Sequence, residues 1–131
     1  MSEVMRFRVE KLIRDGLPEI MRGQGLRVFA RALDEAEYLS ELKKKLLEEA
    51  AEAVGADADS LIEELADVLE VVIALAQASG TGLAEVEARR LAKRAERGGF
   101  EGRVYNACVE AEAGSEGAAY YLARPEQYPR L

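Results

Sequence analysis

Three helical patterns, separated by clear breaks, constrain the fold of this chain more than any other feature. Asp34 and Glu37 have the spacing of a capping box, which predicts the start of a first helix. The sequence GADADS then interrupts the pattern, and Ser60 with Glu63 repeats the capping-box spacing at the start of a second helix. The three predicted helices cover residues 35–54, 61–78 and 83–97, and Gly98 follows the third as a predicted C-terminal cap.

The two ends of the chain lack this helical period. The N-terminal part contains several glycines and Pro18, which favour a short helix over residues 19–22 and a short strand over residues 26–33. The C-terminal part gains glycine and proline again, which predicts irregular structure with a short strand over residues 104–109. At 131 residues we expect a single domain that consists of an N-terminal segment (1–33), a helical core (about 34–100) and an irregular tail (about 101–131).

Composition favours a mainly α fold and argues against several classes of partner. Hydrophobic residues make up 49% of the chain and aromatic residues only 6%, a balance that favours packed helices over a large sheet. The net charge of −7 argues against nucleic acid as a partner, because a polyanion would be repelled. Cys108 is the only cysteine, and we recognise neither a signal segment nor an apolar run long enough to span a bilayer. We therefore expect a cytoplasmic protein with no membrane partner.

The lack of histidine limits the chemistry of any metal site. The sequence contains no His, although His is the commonest general base near neutral pH and the commonest transition-metal ligand. A bound metal ion would therefore be coordinated mostly by oxygen atoms. This predicts Mg²⁺, Mn²⁺ or Ca²⁺ rather than zinc.

Four carboxylates lie on or beside the apolar faces of the first two predicted helices. At about 100° per residue, Glu49 falls within the apolar stripe of the first helix, and Glu52 falls at its edge. In the second helix Glu64 borders the apolar face, and Asp67 lies on a side that we expect a neighbouring helix to cover. The apolar face of this second helix is formed by Leu65, Val68, Leu69 and Val72.

Such a group of carboxylates requires a compensating positive charge. An ionised carboxylate in a low-dielectric site is costly without compensation, and neighbouring carboxylates also repel one another. Lys43, Lys44 and Lys45 are predicted on other parts of the first helix, so a divalent cation is the simplest counter-charge. Glu48 lies further round the helix and has two interpretations: an ion pair with Lys44 or Lys45, or a contribution to the same site through its full side chain.

Two acidic motifs resemble a known family signature. EEAAE and ELAD are similar to the E-E-x-x-E and E-x-x-D motifs of the MazG-like all-α nucleoside triphosphate pyrophosphohydrolases. EKLIRDGLPEIM near the start and ERGGFEGR at the end of the third helix resemble the flanks of a phosphoribosyl-ATP pyrophosphohydrolase-like branch. The resemblance implies a helical bundle completed by oligomerisation, as a homodimer or homotetramer, with short irregular or β-like ends. The residues that match the two motifs are Glu48, Glu49, Glu52, Glu64 and Asp67.

The resemblance also implies an activity and roles for these residues. Members of this family hydrolyse nucleoside triphosphates to the monophosphate and pyrophosphate, with Mg²⁺ as cofactor. We therefore expect hydrolysis of NTP or dNTP, including non-standard nucleotides, in a house-cleaning role, with Mn²⁺ as a substitute metal. By motif position, Glu48 and Glu49 would be catalytic, with Glu48 as a further ligand or the group that orients the attacking water. The metal ligands would be Glu49, Glu52, Glu64 and Asp67.

A triphosphate that approaches a carboxylate site also needs basic side chains for its distal phosphates. Lys11 and Arg14 in the N-terminal motif are two candidates. Lys93, Arg94 and Arg97 at the end of the third helix are three more. These last three have a purely structural alternative, because cations near a helix C-terminus interact favourably with its macrodipole.

Two other functions fit these residues. One is true phosphoribosyl-ATP pyrophosphohydrolase of histidine biosynthesis, although the N-terminal KLIRDGLPEI argues against it. The other is a non-catalytic helical oligomer that binds only metal or nucleotide. Base and sugar selectivity depends on pocket shape, which the sequence does not predict.

Overall fold

The computed structural model describes residues 3–131, which form two compact units. The first unit is Met1–Ala95, of which residues 3–95 are described, and the second is Glu96–Leu131. The described residues form five helices and no strand: α1 (Leu17–Gly23), α2 (Glu35–Gly55), α3 (Leu61–Ala78), α4 (Leu83–Arg97) and α5 (Glu116–Leu122). No helix among them is both long and apolar enough to cross a membrane. The mainly α fold is thereby confirmed, and the single-domain organisation stays a prediction.

The two short strands predicted near the ends are wrong. Residues 26–33 and 104–109 are neither helical nor paired as strands in the described chain. Their large side chains are exposed, with Phe29 at 80% and Tyr105 at 92%. A strand is stable only when its backbone groups pair with a neighbouring strand, and neither segment has such a neighbour within residues 3–131.

The capping box predicted at the start of α2 is present. The Glu37 amide donates a hydrogen bond to the Asp34 carboxylate at 2.8 Å, and the Asp34 amide donates to the Glu37 carboxylate at 3.5 Å. Arg31 donates two further hydrogen bonds to Glu37, at 3.2 and 2.7 Å. This guanidinium holds the pKa of Glu37 at about 2, well below its usual range.

We expect Asp34→Ala to lower the free energy of unfolding by about 1 kcal/mol, because α2 loses the acceptor at its N-terminus. Urea unfolding at neutral pH measures this change. Glu3→Ala is the control, since it removes an exposed carboxylate that lies outside the helices. Equal stability of the two variants would contradict the role of Asp34 as the cap.

α3 begins at Leu61 as predicted, but Ser60 does not cap it. Ser60 has φ −92° and ψ −16°, so it already lies in the first turn, and its hydroxyl makes no capping hydrogen bond. The Asp57 carboxylate instead accepts a hydrogen bond from the Ser60 amide at 2.9 Å. The predicted capping box of Ser60 and Glu63 is therefore wrong, because the turn into α3 starts at Asp57.

α2 and α3 form the packed pair that contains the core of the first unit. Their connection covers only residues 56–60, so the two helices run antiparallel. The buried apolar side chains in the described residues are Leu42 on α2 and Val71 and Ala76 on α3. Glu49 is buried with them. The core is therefore small, and it includes a charged group.

α3 turns a different face toward α2 than its apolar pattern predicted. Leu65 and Leu69 are 48% and 52% exposed, whereas Val71 is only 7% exposed. Because α3 is apolar almost all round, the hydrophobic pattern alone did not determine its buried side. The observed orientation leaves Ile62, Leu65 and Leu69 exposed along one side of the helix, which we call the α3 row.

The C-terminal part contains one helix that the sequence did not predict. α4 ends at Arg97 and is followed by Gly98 with φ +83°, a left-handed conformation that favours glycine at a helix C-terminus. α5 then forms in the tail expected to be irregular. Its start is capped by Ser115, whose hydroxyl oxygen accepts a hydrogen bond from the Ala118 amide at 3.1 Å.

Candidate functional site

Three carboxylates converge between α2 and α3. Glu64 and Asp67 are three residues apart on α3 and therefore share one side of that helix. Glu49 lies on the buried face of α2, and the antiparallel pairing brings it to the same place. Oxygen atoms of all three side chains lie within 4.8 Å of one another. We call Glu49, Glu64 and Asp67 the acidic cluster.

Two oxygen atoms of the acidic cluster are buried without a partner. Glu49 is 7% exposed, and within residues 3–131 neither its Oε2 atom nor Oε2 of Glu64 has a hydrogen-bond partner. Burial is the main cause that raises the pKa of Glu49, and the nearby Glu52 carboxylate raises it further, while Lys45 opposes the shift. Unpaired carboxylate oxygens that are buried are unfavourable, so the cluster is suited to a bound cation.

The donor set of the cluster fits a hard divalent cation. All three candidate ligands are carboxylates, the type that Mg²⁺, Mn²⁺ and Ca²⁺ prefer. Opposite ligands of an ion bound at about 2.1 to 2.4 Å are about 4.2 to 4.8 Å apart. The three candidate ligand oxygens all lie within 4.8 Å of one another, so no pair is further apart than such an ion can bridge. Glu49, Glu64 and Asp67 could therefore hold such an ion with small side-chain adjustments.

Glu52 and Glu48 lie outside this group of three. Glu52 is exposed and is not among the carboxylates that converge, although its negative charge raises the pKa of Glu49. Glu48 is half-buried and forms ion pairs with Lys11 at 3.1 Å and Lys45 at 3.6 Å. Hydrogen bonding to Lys11 is the main cause that lowers the pKa of Glu48. Glu48 is therefore an ionised neighbour of the cluster.

Lys45 contacts Glu48, as one of the two interpretations of Glu48 predicted, and it also contacts Glu49, which was not predicted. Its Nζ atom lies 3.4 Å from Glu49 and 3.6 Å from Glu48, and its side chain is only 20% exposed. The inference that all three lysines lie away from the carboxylates is therefore wrong for Lys45. The signal was available, because residues four apart on a helix share one side.

Lys11 and Arg14 contact the acidic motifs directly. Arg14 Nη2 lies 2.7 Å from Asp67 Oδ1, and Lys11 Nζ lies 3.1 Å from Glu48 Oε1. Both basic residues belong to the irregular segment before α1. The N-terminal motif and the acidic motifs therefore meet, although they are far apart in the sequence.

Helix packing does not bring Lys93 and Arg94 of α4 to the acidic cluster. Within the first unit, α2 and α3 are the pair of helices that pack against each other, and Lys93 and Arg94 lie on exposed turns of α4. Arg97 belongs to the second unit, and its Nε atom lies 3.8 Å from Glu96. A phosphate-binding role for Lys93, Arg94 and Arg97 stays a prediction.

We expect Glu49→Gln to raise the melting temperature of chelator-treated protein at neutral pH by a few degrees. The carboxylate has a raised pKa in the folded protein, so its ionised form destabilises the fold above that pKa, and protonation relieves the cost as the pH falls. The difference in melting temperature between Glu49→Gln and the unaltered protein should therefore become smaller as the pH falls from neutral toward the ordinary Glu pKa of 4.5.

Thermal unfolding across that pH range measures the effect, with Glu70→Gln as the control because Glu70 is exposed on α3. A Glu49→Gln variant that melts lower than the unaltered protein in chelator would contradict the cost assigned to this buried carboxylate.

A comparison with known families agrees with this geometry. Residues 37–98 match the family model of the MazG nucleotide pyrophosphohydrolase domain. No curated protein and no solved structure matches the chain significantly. The matched segment covers most of α2 and all of α3 and α4, and it includes the acidic cluster together with Glu48 and Glu52. The match of this segment supports assignment of the chain to the MazG-like family of nucleotide pyrophosphohydrolases.

Proposed function

We propose that this protein is a Mg²⁺-dependent pyrophosphohydrolase that converts NTPs or dNTPs to the nucleoside monophosphate and pyrophosphate. The observation that carries the proposal is the convergence of Glu49, Glu64 and Asp67 within 4.8 Å, with buried and unpartnered oxygens. This cluster lies within the segment that matches the MazG domain. Removal of non-standard nucleotides is the role that we propose for the reaction.

Each residue near the cluster has a proposed task. Glu49, Glu64 and Asp67 would hold the metal, with Glu52 as a further ligand if its exposed side chain turns inward. When bound, Mg²⁺ supplies positive charge that neutralises these carboxylates and the phosphate oxygens of the substrate. Glu48 has a lowered pKa, so it stays ionised and can accept a hydrogen bond that orients the attacking water.

The chemical step breaks one phosphoanhydride bond. The oxygen of water bonds to the α- or β-phosphorus while the bond to the bridging oxygen between these two phosphorus atoms breaks. One proton of the water is released, and the products are the monophosphate and pyrophosphate. Lys11 and Arg14 lie beside the acidic motifs and are the basic groups that we propose for the distal phosphates.

A panel of NTPs, dNTPs and damaged nucleotides with Mg²⁺ tests this function. We expect pyrophosphate and monophosphate in equal amounts from at least one member, and no release in the presence of a chelator. Phosphoribosyl-ATP belongs in the panel because its hydrolysis would identify the alternative enzyme, phosphoribosyl-ATP pyrophosphohydrolase. Stabilisation by Mg²⁺ without consumption of any member would favour the non-catalytic alternative.

We further propose that the protein is a homodimer, or a homotetramer built from two dimers, with the α3 row at the dimer interface. Ile62, Leu65 and Leu69 are 71%, 48% and 52% exposed, and only three apolar side chains are buried in the described residues. A pair of helices with so small a core is marginally stable in isolation. A second copy offers an identical row, which a two-fold axis can bring into contact with the first.

A further inference from the structure

The ion pairs at the acidic motifs hold two basic residues where a metal ion would act. Arg14 donates a hydrogen bond to Asp67 at 2.7 Å, and Lys11 donates to Glu48 at 3.1 Å. Asp67 is a member of the acidic cluster, and Glu48 is adjacent in sequence to another member. Arg14 and a divalent cation at the cluster would therefore compete for the same carboxylate.

The competition is electrostatic as well as steric. Two positive charges a few ångströms apart repel each other strongly in a partly buried site. A divalent cation carries twice the charge of a guanidinium and bonds directly to carboxylate oxygen. Arg14 should therefore leave Asp67 when the cluster takes up the metal, and the pairing of Lys11 with Glu48 should weaken with it.

Lys11 and Arg14 are free to move in a way that Lys45 is not. Their side chains are 54% and 61% exposed, and both belong to a segment without helical hydrogen bonds. The Lys45 side chain is 20% exposed and is anchored on α2 between two glutamates. The basic groups that can be displaced are therefore those of the N-terminal segment.

We propose that Lys11 and Arg14 exchange partners at this site. They pair with Glu48 and Asp67 before metal binding, and they pair with phosphate oxygens of the nucleotide once the cluster holds the metal. Arg14 therefore opposes the binding of metal alone but strengthens the binding of metal and triphosphate together. The second half of the exchange rests on the proposed function, whereas the first half requires only the metal.

Metal binding to Arg14→Gln tests the first half without any nucleotide. With Mn²⁺ as the probe, calorimetry or electron paramagnetic resonance should give an affinity about two- to fivefold higher than that of the unaltered protein. Arg27→Gln is the matched control, since Arg27 is exposed on the N-terminal segment and forms no ion pair in the described residues. Circular dichroism establishes that the variants retain their helices.

The same variant should have the opposite effect on nucleotide binding. With Mn²⁺ and a triphosphate whose α,β-bridging oxygen is replaced by NH, the affinity should fall at least about tenfold, because a charge-assisted hydrogen bond is lost. Lys11→Gln should likewise raise the affinity for Mn²⁺ alone and lower the affinity for the nucleotide analogue. Since Lys11 and Arg14 are separate positions, misfolding of one variant leaves the other as a test.

Trypsin cleavage reports the exchange in the unaltered chain. Trypsin must take an Arg or Lys side chain into its specificity pocket, so release from Glu48 and Asp67 should speed cleavage after Lys11 and Arg14. We expect Mg²⁺ alone to accelerate these two cleavages several-fold and the nucleotide analogue to reverse the effect. Cleavage after Arg8, an exposed residue of the same segment, is the internal control and should not change.

Two results would overturn the exchange. The first is a Mn²⁺ affinity of Arg14→Gln that equals or falls below that of Arg27→Gln. The second is a nucleotide affinity that Arg14→Gln leaves unchanged. Failure of the proposed function has a different signature, because the unaltered protein would then consume no nucleotide. Mn²⁺ affinity and the effect of Mg²⁺ on trypsin cleavage would still test whether the metal displaces Lys11 and Arg14 from Glu48 and Asp67.

Discussion

Replacing Glu64 by Gln is expected to lower Mg²⁺-dependent pyrophosphate release at least about a hundredfold, because loss of a direct ligand should cost no less than loss of an outer-shell partner. Glu64 is a member of the acidic cluster, and its Oε2 atom is buried without a hydrogen-bond partner. The amide has nearly the same shape as the carboxylate but lacks its charge, so the fold should persist while metal binding weakens.

Glu63→Gln is the matched control for this variant. Glu63 is the preceding residue on α3, it is exposed, and it makes no capping hydrogen bond with Ser60. The control should retain full activity and full Mn²⁺ affinity. If Glu64→Gln and Glu63→Gln release pyrophosphate at similar rates, the acidic cluster is not the metal site of the reaction.

The second large effect concerns the α3 row. We expect the double substitution Leu65→Asp with Leu69→Asp to convert the proposed dimer to a monomer and to lower the melting temperature of the protein. Each buried leucine contributes about 1.5 to 3 kcal/mol when it leaves water, and a buried unpaired aspartate adds a further cost. Two changes in each chain should therefore reduce dimer affinity by more than about a hundredfold.

Light scattering coupled to size-exclusion chromatography measures the mass in solution. Val54→Asp is the control, because Val54 is 88% exposed on α2 and lies outside the α3 row. The control should keep the mass of the unaltered protein. An unchanged mass for the double variant would place the interface elsewhere or show that the unaltered chain is a monomer.

Local signals predicted most of the helical core. The helical period and the breaks around residues 55–60 and 79–82 determined α2, α3 and α4 to within one residue of their observed bounds. Asp34 correctly marked the start of α2, because its carboxylate and the Glu37 amide that it accepts a hydrogen bond from lie within one helical turn. Ser60 failed as a start signal because the turn began earlier, at Asp57, which offers the same chemistry.

Non-local features were less predictable. The segments 26–33 and 104–109 have strand-like composition, but a strand depends on a partner that composition does not reveal. The buried side of α3 was also misjudged, since Leu65 and Leu69 are as apolar as Val71. In a helix that is apolar almost all round, the contact with α2 decides which side is buried.

The acidic cluster was partly predictable from helical geometry. A helical-wheel projection at about 100° per residue placed Glu49 and Glu64 at the apolar faces, because angular position on a helix depends only on sequence spacing. The projection did not show that Glu52 would lie outside the acidic cluster, because the angular position of a residue does not specify the direction in which its long side chain points. Helical geometry also did not predict the contact of Lys45 with Glu49, because a lysine can bury its alkyl stem while its amine reaches a carboxylate.

The contacts of Lys11 and Arg14 had no basis in local pattern. Both residues precede α1, and the ion pairs they form cross 37 and 53 positions of sequence. Only the motif resemblance suggested that they belong to the site. Their partners are carboxylates in the structure, which is the observation behind the exchange that we propose.

A parallel titration of metal binding and pyrophosphate release in the unaltered protein and Glu49→Gln tests most directly whether the acidic cluster binds the catalytic metal. We expect Mn²⁺ binding and Mn²⁺-supported pyrophosphate release to rise over the same range of Mn²⁺ concentration, and we expect Glu49→Gln to lose both. Pyrophosphate release that persists in a chelator, or full activity in Glu49→Gln, would contradict the claim that the acidic cluster binds the metal on which the reaction depends.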